Sequence, residues 1–141
     1  MSDDVVLDAS VVANVIFPKA HPAKALFFFQ SDVLRSAPDL IFAEFVSVAT
    51  RLVRRGLVSK VTARDAVVRL PLLIDEIAPV VGLANSAYDL TTRYGFSAYD
   101  SVYLALALRR DRLLVTADAK LARRAIEVGM ADRVRLVSPE S

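Results

Sequence analysis

The sequence contains no cysteine and only one histidine among its 141 residues. Without cysteine, disulfide frameworks, zinc sites built on thiolates and cysteine nucleophiles are all excluded. A single histidine also excludes histidine pairs, whether as acid and base or as two ligands of one metal, within one chain. That residue, His21, lies in a Pro-Lys-Ala-His-Pro segment, and we interpret it as a surface or helix-capping residue. Any chemistry must therefore use carboxylates and hydroxyls.

Long apolar runs and a basic leader are also missing. No stretch approaches the roughly 18 consecutive apolar residues of a membrane span. The chain opens with Ser2-Asp3-Asp4, where a signal peptide would carry basic residues. The formal net charge is only +2, so no global field attracts nucleic acid, although most of the cations are arginine, which suits phosphate. We therefore expect a cytoplasmic protein with no membrane contact.

Short apolar runs alternate with segments of helical periodicity along the chain. We predict strands near residues 5–7, 33–37, 77–81, 113–116 and 134–137. The first of these is apolar throughout and the fourth is apolar up to its last residue, Thr116, as expected of buried parallel strands. Helices are predicted at 9–16, 22–30, 39–55, 83–93, 97–110 and 119–128, with another that begins at Thr62 and that Pro71 kinks or ends. No linker, repeat or low-complexity segment interrupts this alternation. It predicts a single domain, residues 1–141, folded as a parallel α/β layer sandwich.

Four acidic residues occupy positions where they could converge. Asp8 and Asp118 follow the two apolar strands, while Glu44 and Asp100 lie near the first turns of two predicted helices. Open parallel sheets bind ligands beyond the carboxyl ends of the strands, at the point where the strand order reverses. If the strands before Asp8 and Asp118 flank that point, their carboxylates meet there.

Each of these acids also has a purely structural interpretation. Asp8 and Asp118 precede helices and could simply cap them, and Ser97 with Asp100 has the spacing of a capping box. Glu44 could be an ordinary solvated residue, since it shares one helical stripe with the polar residues Ser47, Arg51 and Arg55. Spacing alone leaves both interpretations open.

Convergence of the acids would favour a metal-dependent reaction. Several carboxylates in one pocket repel one another, and a hard divalent cation held by carboxylates and water removes that cost. Mg²⁺ or Mn²⁺ so held can activate water and neutralise a phosphodiester, which compensates for the missing histidines. Hydrolysis of nucleic acid phosphodiesters is therefore the leading function. Ser10 and Thr116 could support a carboxylate or a metal-bound water, or merely finish a turn and a strand.

Four motifs occur in a characteristic order along the chain. They are Val-Val-Leu-Asp-Ala-Ser at 5–10, Pro-Asp-Leu through Glu44 to Arg-Leu-Val at 38–53, Tyr-Gly-Phe-Ser-Ala-Tyr-Asp at 94–100, and Val-Thr-Ala-Asp at 115–118. In this order the chain resembles PIN-domain ribonucleases, and more closely the VapC-type toxins of bacterial toxin-antitoxin modules. The resemblance covers essentially the whole chain, and its third and fourth motifs are the specific ones.

The resemblance carries several implications for fold, site and partners. It implies a three-layer α/β/α sandwich with a central parallel sheet of about five strands, an Mg²⁺-dependent endoribonuclease site, a homodimer, and a cognate VapB-type antitoxin that blocks the site. The catalytic and metal-binding acids that it implies are Asp8, Glu44, Asp100 and Asp118, with Ser10 and Thr116 in support.

Two alternatives come from other functional classes. A phosphohydrolase with an aspartyl nucleophile could also place Asp8 after the first strand, but such enzymes characteristically have a second acid two residues on, where this chain has Ser10. A noncatalytic PIN-like scaffold could bind RNA or protein through its arginine clusters and through Phe27 to Phe29, whose three rings cannot share one helical face. Metal-dependent RNA cleavage distinguishes the enzyme from the scaffold.

Overall fold

The computed structural model describes residues 4–17, 27–30 and 32–137. Its strands are β1 (Val5–Leu7), β2 (Arg35–Pro38), β3 (Glu76–Ala78), β4 (Leu113–Thr116) and β5 (Val134–Leu136). Its α-helices are α1 (Ala9–Ile16), α2 (Leu40–Arg54), α3 (Lys60–Leu73), α4 (Ala84–Tyr94), α5 (Ala98–Arg110) and α6 (Ala119–Glu127). The prediction for His21, and most of the helix predicted at 22–30, lie outside the described residues.

Within the described residues, the five strands form one sheet in the order β3-β2-β1-β4-β5, and all of its pairings are parallel. The strand order therefore reverses between β1 and β4, the two strands that precede Asp8 and Asp118, which meets the condition for their carboxylates to converge. Parallel neighbours need crossover connections, and helices supply them on both faces of the sheet. The predicted three-layer α/β/α sandwich with a five-stranded parallel sheet is confirmed.

The apolar core lies around the two central strands and helix α5. Val6, Leu7, Leu114 and Val115 are fully buried, which explains why β1 and β4 are apolar without alternation. Helix α5 is buried throughout residues 101–107, because it packs on β1, β2 and β4 and also on α4. No helix in the described ranges combines the length and apolar character needed to cross a bilayer.

Several element boundaries differ from the predictions, including that of β2, which begins at Arg35 rather than near residue 33. Helix α3 begins at Lys60 rather than Thr62, because the Ser59 hydroxyl caps it by accepting a hydrogen bond from the Thr62 N–H at 3.1 Å. The predicted helix start at Thr62 is therefore wrong. Pro71 lies in the last turn of this helix, which ends at Leu73. Strand β3 occupies the sheet edge as predicted, but it ends at Ala78, before Pro79, and a 3₁₀ turn follows.

The three consecutive phenylalanines occupy different environments. Phe28 is buried, and the half-buried ring of Phe29 lies beneath the Arg35 guanidinium, 5.1 Å from it. Phe27 is exposed and meets Phe28 edge to face, with ring centroids 5.3 Å apart. Core packing thus accounts for most of this aromatic cluster, and Phe27 is the ring left at the surface.

Candidate active site

Asp8 lies between β1 and α1, at the carboxyl end of the central strand. Its Oδ1 accepts hydrogen bonds from the backbone N–H groups of Ser10 at 3.0 Å and Val11 at 3.3 Å, so Asp8 caps α1. The Ser10 hydroxyl donates to the same oxygen, and the Thr116 hydroxyl donates to Oδ2. Asp8 is only 7% exposed. The capping and pocket interpretations of this residue are therefore compatible.

Ser10 and Thr116 connect the ends of the two central strands. While donating to Asp8, Ser10 Oγ accepts a hydrogen bond from the Ala117 N–H at 3.0 Å. Thr116 Oγ1 likewise accepts from the Asp118 N–H at 3.0 Å. Each hydroxyl thus has a donor and an acceptor partner, and together they fix the turn after β4 against the Asp8 carboxylate.

The other three acids come from three helices. Asp118 is exposed and caps α6, where its Oδ1 accepts from the N–H groups of Lys120 at 2.9 Å and Leu121 at 3.4 Å. Asp100 is half-buried in the first turn of α5, and its N–H donates to the capping hydroxyl of Ser97 at 3.1 Å. Glu44 is half-buried in the first turns of α2.

One pocket of about 380 Å³ receives all four acids. It lies beyond the carboxyl ends of β1 and β4, where the strand order reverses, which is the position that parallel sheets use for ligands. Ser10 also lines it, whereas Thr116 is buried behind Asp8. The other residues that line this acid pocket are Ala9, Leu40, Ala43, Ser47, Val48, Arg51 and Tyr99.

Burial and mutual repulsion act on the carboxyl groups of the acid pocket. Burial raises the pKa of Asp8 to about 6, although the hydroxyls of Ser10 and Thr116 lower it, and the charge of Glu44 adds to the rise. Burial also raises the pKa of Asp100, where the Ser97 hydroxyl opposes the rise and the charges of Asp118 and Glu44 add to it. The pocket therefore concentrates negative charge at a cost, and a bound cation would relieve that cost.

The four acids do not form a closed metal cage. Within residues 4–17, 27–30 and 32–137, no three acidic side chains approach one another closely enough to hold one ion directly. Mg²⁺, however, usually keeps several waters and binds proteins through one or two carboxylates. The four acids form no salt bridge within the described residues. Their oxygen donors and negative charge therefore fit a hydrated divalent cation.

Sequence reasoning overlooked Tyr103 as part of this region. It follows Asp100 by one turn on α5 and is 2% exposed, and its hydroxyl has no hydrogen-bond partner within the described part of the chain. Burial raises the pKa of this phenol, and the charges of Glu44 and Asp8 raise it further. Glu44 and the backbone N–H of Ala9 are thus close enough to act on the phenol, but neither reaches hydrogen-bond geometry with it. The sequence signal that could have identified Tyr103 was its spacing of one helical turn from Asp100, which places both residues on one face of the helix.

Three further residues of the acid pocket had no role in the sequence-based prediction. Ser47 and Arg51 continue the stripe of α2 that begins at Glu44, and both are exposed. The stripe was visible in the sequence, but it equally fits a solvated helix face. Tyr99, beside Asp100, is 61% exposed.

Comparison with known proteins agrees with this architecture. The family model described as PIN domain matches residues 5–127. Ribonuclease VapC1 of Mycobacterium tuberculosis is 32% identical over 120 residues, which cover 85% of this chain and 90% of that protein.

Solved structures show the same fold at low sequence identity. VapC20 of Mycobacterium tuberculosis, described as a toxin that cleaves the sarcin-ricin loop, has a TM-score of 0.65 at 16% identity, covering 85% of this chain and 94% of that one. A toxin-antitoxin complex from Klebsiella pneumoniae gives a TM-score of 0.62 at 16% identity, and the match covers 96% of this chain and 98% of that one. The chain therefore belongs to the PIN-domain family, among its VapC-type members.

Proposed function

We propose that this protein is a metal-dependent endoribonuclease that acts as the toxin of a VapBC-type toxin-antitoxin module. The observation that carries the proposal is the shared pocket of Asp8, Glu44, Asp100 and Asp118 beyond the ends of β1 and β4. The name of the curated relative, ribonuclease VapC1, supports RNA as the substrate.

The proposed cofactor is Mg²⁺, with Mn²⁺ as a substitute of similar preference for oxygen ligands. Asp8, Glu44, Asp100 and Asp118 would hold it, some directly and others through water, which agrees with the spacing of their side chains. When bound, the cation would activate water for attack on phosphorus and neutralise charge on the phosphodiester. Hydrolysis by this route needs no histidine base.

The protein's own contribution is to hold the carboxylates ionised and oriented. Asp8 must be ionised to attract a cation, and the donors Ser10, Thr116 and Val11 favour that form against the effect of burial. Helix capping fixes Asp118, and the Ser97 cap fixes the turn that carries Asp100. The site is therefore supported by strand ends and helix starts, which are rigid elements.

A cognate VapB-type antitoxin is the proposed protein partner. Its inhibitory segment should place a basic side chain in the acid pocket, because a cation there compensates the same carboxylates that a metal would. A homodimer is proposed as well, on the family resemblance alone. Co-expression with the protein encoded by a neighbouring small gene, followed by co-purification and light scattering, tests both assemblies. Expression of this chain alone should slow growth, and expression with that partner should restore it.

A noncatalytic RNA- or protein-binding scaffold is the second candidate. It is favoured by one observation, that no three acids of the described residues are placed to hold an ion directly. A scaffold would bind RNA without cutting it. An aspartyl-nucleophile phosphohydrolase is less well supported, because the position two residues after Asp8 is Ser10, whose hydroxyl donates to Asp8.

Incubation of the purified protein with total RNA tests the proposed activity. Discrete new 5′ ends should appear with Mg²⁺ or Mn²⁺, disappear in excess EDTA, and return when metal is restored. Full cleavage in excess EDTA would remove the metal mechanism. RNA binding without new 5′ ends, whichever metal is present, would favour the noncatalytic scaffold.

A further inference from the structure

The acid pocket has two lining residues whose chemistry suits a nucleotide rather than a metal. Arg51 extends from the wall formed by α2, and Tyr99 lies on the side formed by α5, next to Asp100. Both side chains are exposed. Neither contributes to the buried core, so packing does not explain their position.

Within the described residues, Arg51 forms no salt bridge with an acidic side chain, Glu44 included. Seven residues separate it from Glu44, which corresponds to about 10.5 Å along the helix axis. Among the described residues that line the acid pocket, Arg51 is the one cation. A guanidinium there is suited to a phosphate that lies beyond the acids, because its planar donors match phosphate oxygens in pairs.

Tyr99 supplies an aromatic face at the same opening. A single exposed tyrosine on a protein surface is ordinary and carries no inference by itself. Here the residue is 61% exposed and still lines the pocket of the four acids. Aromatic faces bind unpaired bases by stacking with little sequence preference, whereas bases in a duplex are already stacked on one another.

We propose that Arg51 and Tyr99 form a nucleotide subsite that binds a phosphate and an unstacked base flanking the scissile bond of single-stranded RNA. This subsite rests on the proposed ribonuclease function and names two side chains that would hold the substrate beside the acids. The phosphate contact at Arg51 would hold the strand along α2 while the base at Tyr99 sets its position beside Asp100. The subsite would select single-stranded over duplex RNA without reading sequence.

The test measures RNA binding separately from cleavage. The Asp118→Asn protein in Mg²⁺ is titrated against a short fluorescein-labelled RNA of mixed sequence, as a single strand and as a duplex, by fluorescence anisotropy at several salt concentrations. Tyr99→Ala in this background should weaken single-strand binding by about tenfold, and Tyr99→Phe should rescue it because the aromatic face returns. Arg51→Gln should reduce the slope of log affinity against log salt by about 0.7, the value for one phosphate contact on a single strand.

Arg54→Gln is the matched control for charge. It removes the same charge from the same helix, but Arg54 lines the separate cleft between α2 and α3. The proposed subsite requires the salt slope to change for Arg51→Gln and to stay unchanged for Arg54→Gln. Equal changes in the two slopes, equal affinity for duplex and single strand, or Tyr99→Ala binding like its parent would each overturn it.

Two comparisons separate the subsite from a protein-binding surface and from the ribonuclease function. If Tyr99→Ala weakens capture of the neighbour-encoded antitoxin but leaves RNA binding intact, the surface is a protein contact and the inference is wrong. If the wild-type protein cuts no RNA while the variants still show the expected binding pattern, the ribonuclease proposal fails and the RNA-binding subsite stands. If it cuts RNA without that pattern, the subsite alone fails.

Discussion

The Thr116 hydroxyl donates a hydrogen bond to Oδ2 of Asp8 across the junction between β4 and β1. The two strands pair in parallel with Leu7 opposite Val115, so the next residue on each strand lies beside the other at the carboxyl end. The Asp8 N–H also donates to the Val115 carbonyl at 3.3 Å. The sheet itself therefore positions the most buried carboxylate of the acid pocket.

Loss of the Thr116 hydroxyl should destabilise the protein in a pH-dependent way. Thr116→Val keeps the shape but removes a donor that lowers the pKa of Asp8, so the folded-state pKa should rise further. The variant should lose about 1–3 kcal/mol of unfolding free energy near pH 8, where Asp8 is ionised, and less near pH 5. Thr116→Ser, which keeps the hydroxyl, is the control. Urea denaturation in EDTA at the two pH values measures the free energy of unfolding of both variants. An equal loss in Thr116→Val at the two pH values would show that the Thr116 hydroxyl does not favour ionised Asp8.

Asp8 should make metal-free stability fall as the pH rises. Its pKa is raised from the ordinary 3.8 to about 6, so the folded state holds a proton that the unfolded state has released between those values. The contribution of Asp8 to the free energy of unfolding is therefore fully present below about pH 4. It is lost as the pH rises through about 6, and the loss amounts to at most about 3 kcal/mol. In Asp8→Asn this dependence should vanish. A stability difference between wild type and variant that stays constant from about pH 5 to 8 would show that Asp8 titrates normally.

Asp100→Asn distinguishes a helix cap from a metal ligand. A cap would lose about 0.3–1 kcal/mol with the charge, with little effect on metal binding. In the structure Ser97 already caps α5, and nearby acids raise the pKa of Asp100. We expect unchanged or higher melting temperature in EDTA, with less stabilisation by Mg²⁺ because site occupancy falls. A variant that melts lower in EDTA and gains the full Mg²⁺ stabilisation would refute the ligand assignment.

Tyr103→Phe should stabilise the metal-free protein. The Tyr103 hydroxyl is buried without a hydrogen-bond partner within the described residues, and an unsatisfied buried donor costs about 1–3 kcal/mol. Removing it should raise the free energy of unfolding by on the order of 1 kcal/mol. The control is Tyr88→Phe, at a tyrosine that is 68% exposed, which should be nearly neutral. A loss of stability in Tyr103→Phe alone would mean that the hydroxyl has a partner in solution.

The central part of the fold was predictable because its sequence signals are local. Strands β1 and β4 are buried on both faces and are therefore apolar at every position before the terminal Thr116 of β4, and α5 is apolar on nearly all sides for the same reason. The start of α3 was not predictable in the same way, because Ser59 and Thr62 are both acceptable caps and only the backbone conformation selects Ser59. Strand β3 is short and partly exposed, so its pattern is weak.

The site was predictable to different degrees for different residues. Asp8 and Asp118 follow directly from the ends of the two apolar strands, since parallel strands bring their carboxyl ends to one edge. Glu44 could not be assigned from spacing, because helical periodicity specifies neighbours on its own helix and not the element that α2 faces. The burial of Tyr103 beside these acids depends on tertiary packing as well. The catalytic roles of all four acids remain predictions.

The most direct test is single-turnover cleavage of RNA by wild type and the four variants Asp8→Asn, Glu44→Gln, Asp100→Asn and Asp118→Asn. Asp65→Asn is the control, because Asp65 is an exposed acid paired with Arg69 on α3, away from the acid pocket. With Mg²⁺ present, each of the four variants should cut about a hundredfold more slowly or worse, and Asp65→Asn should match wild type. In EDTA no protein should cut. Wild-type cleavage that survives EDTA, or four variants that all cut as fast as Asp65→Asn, would contradict the account.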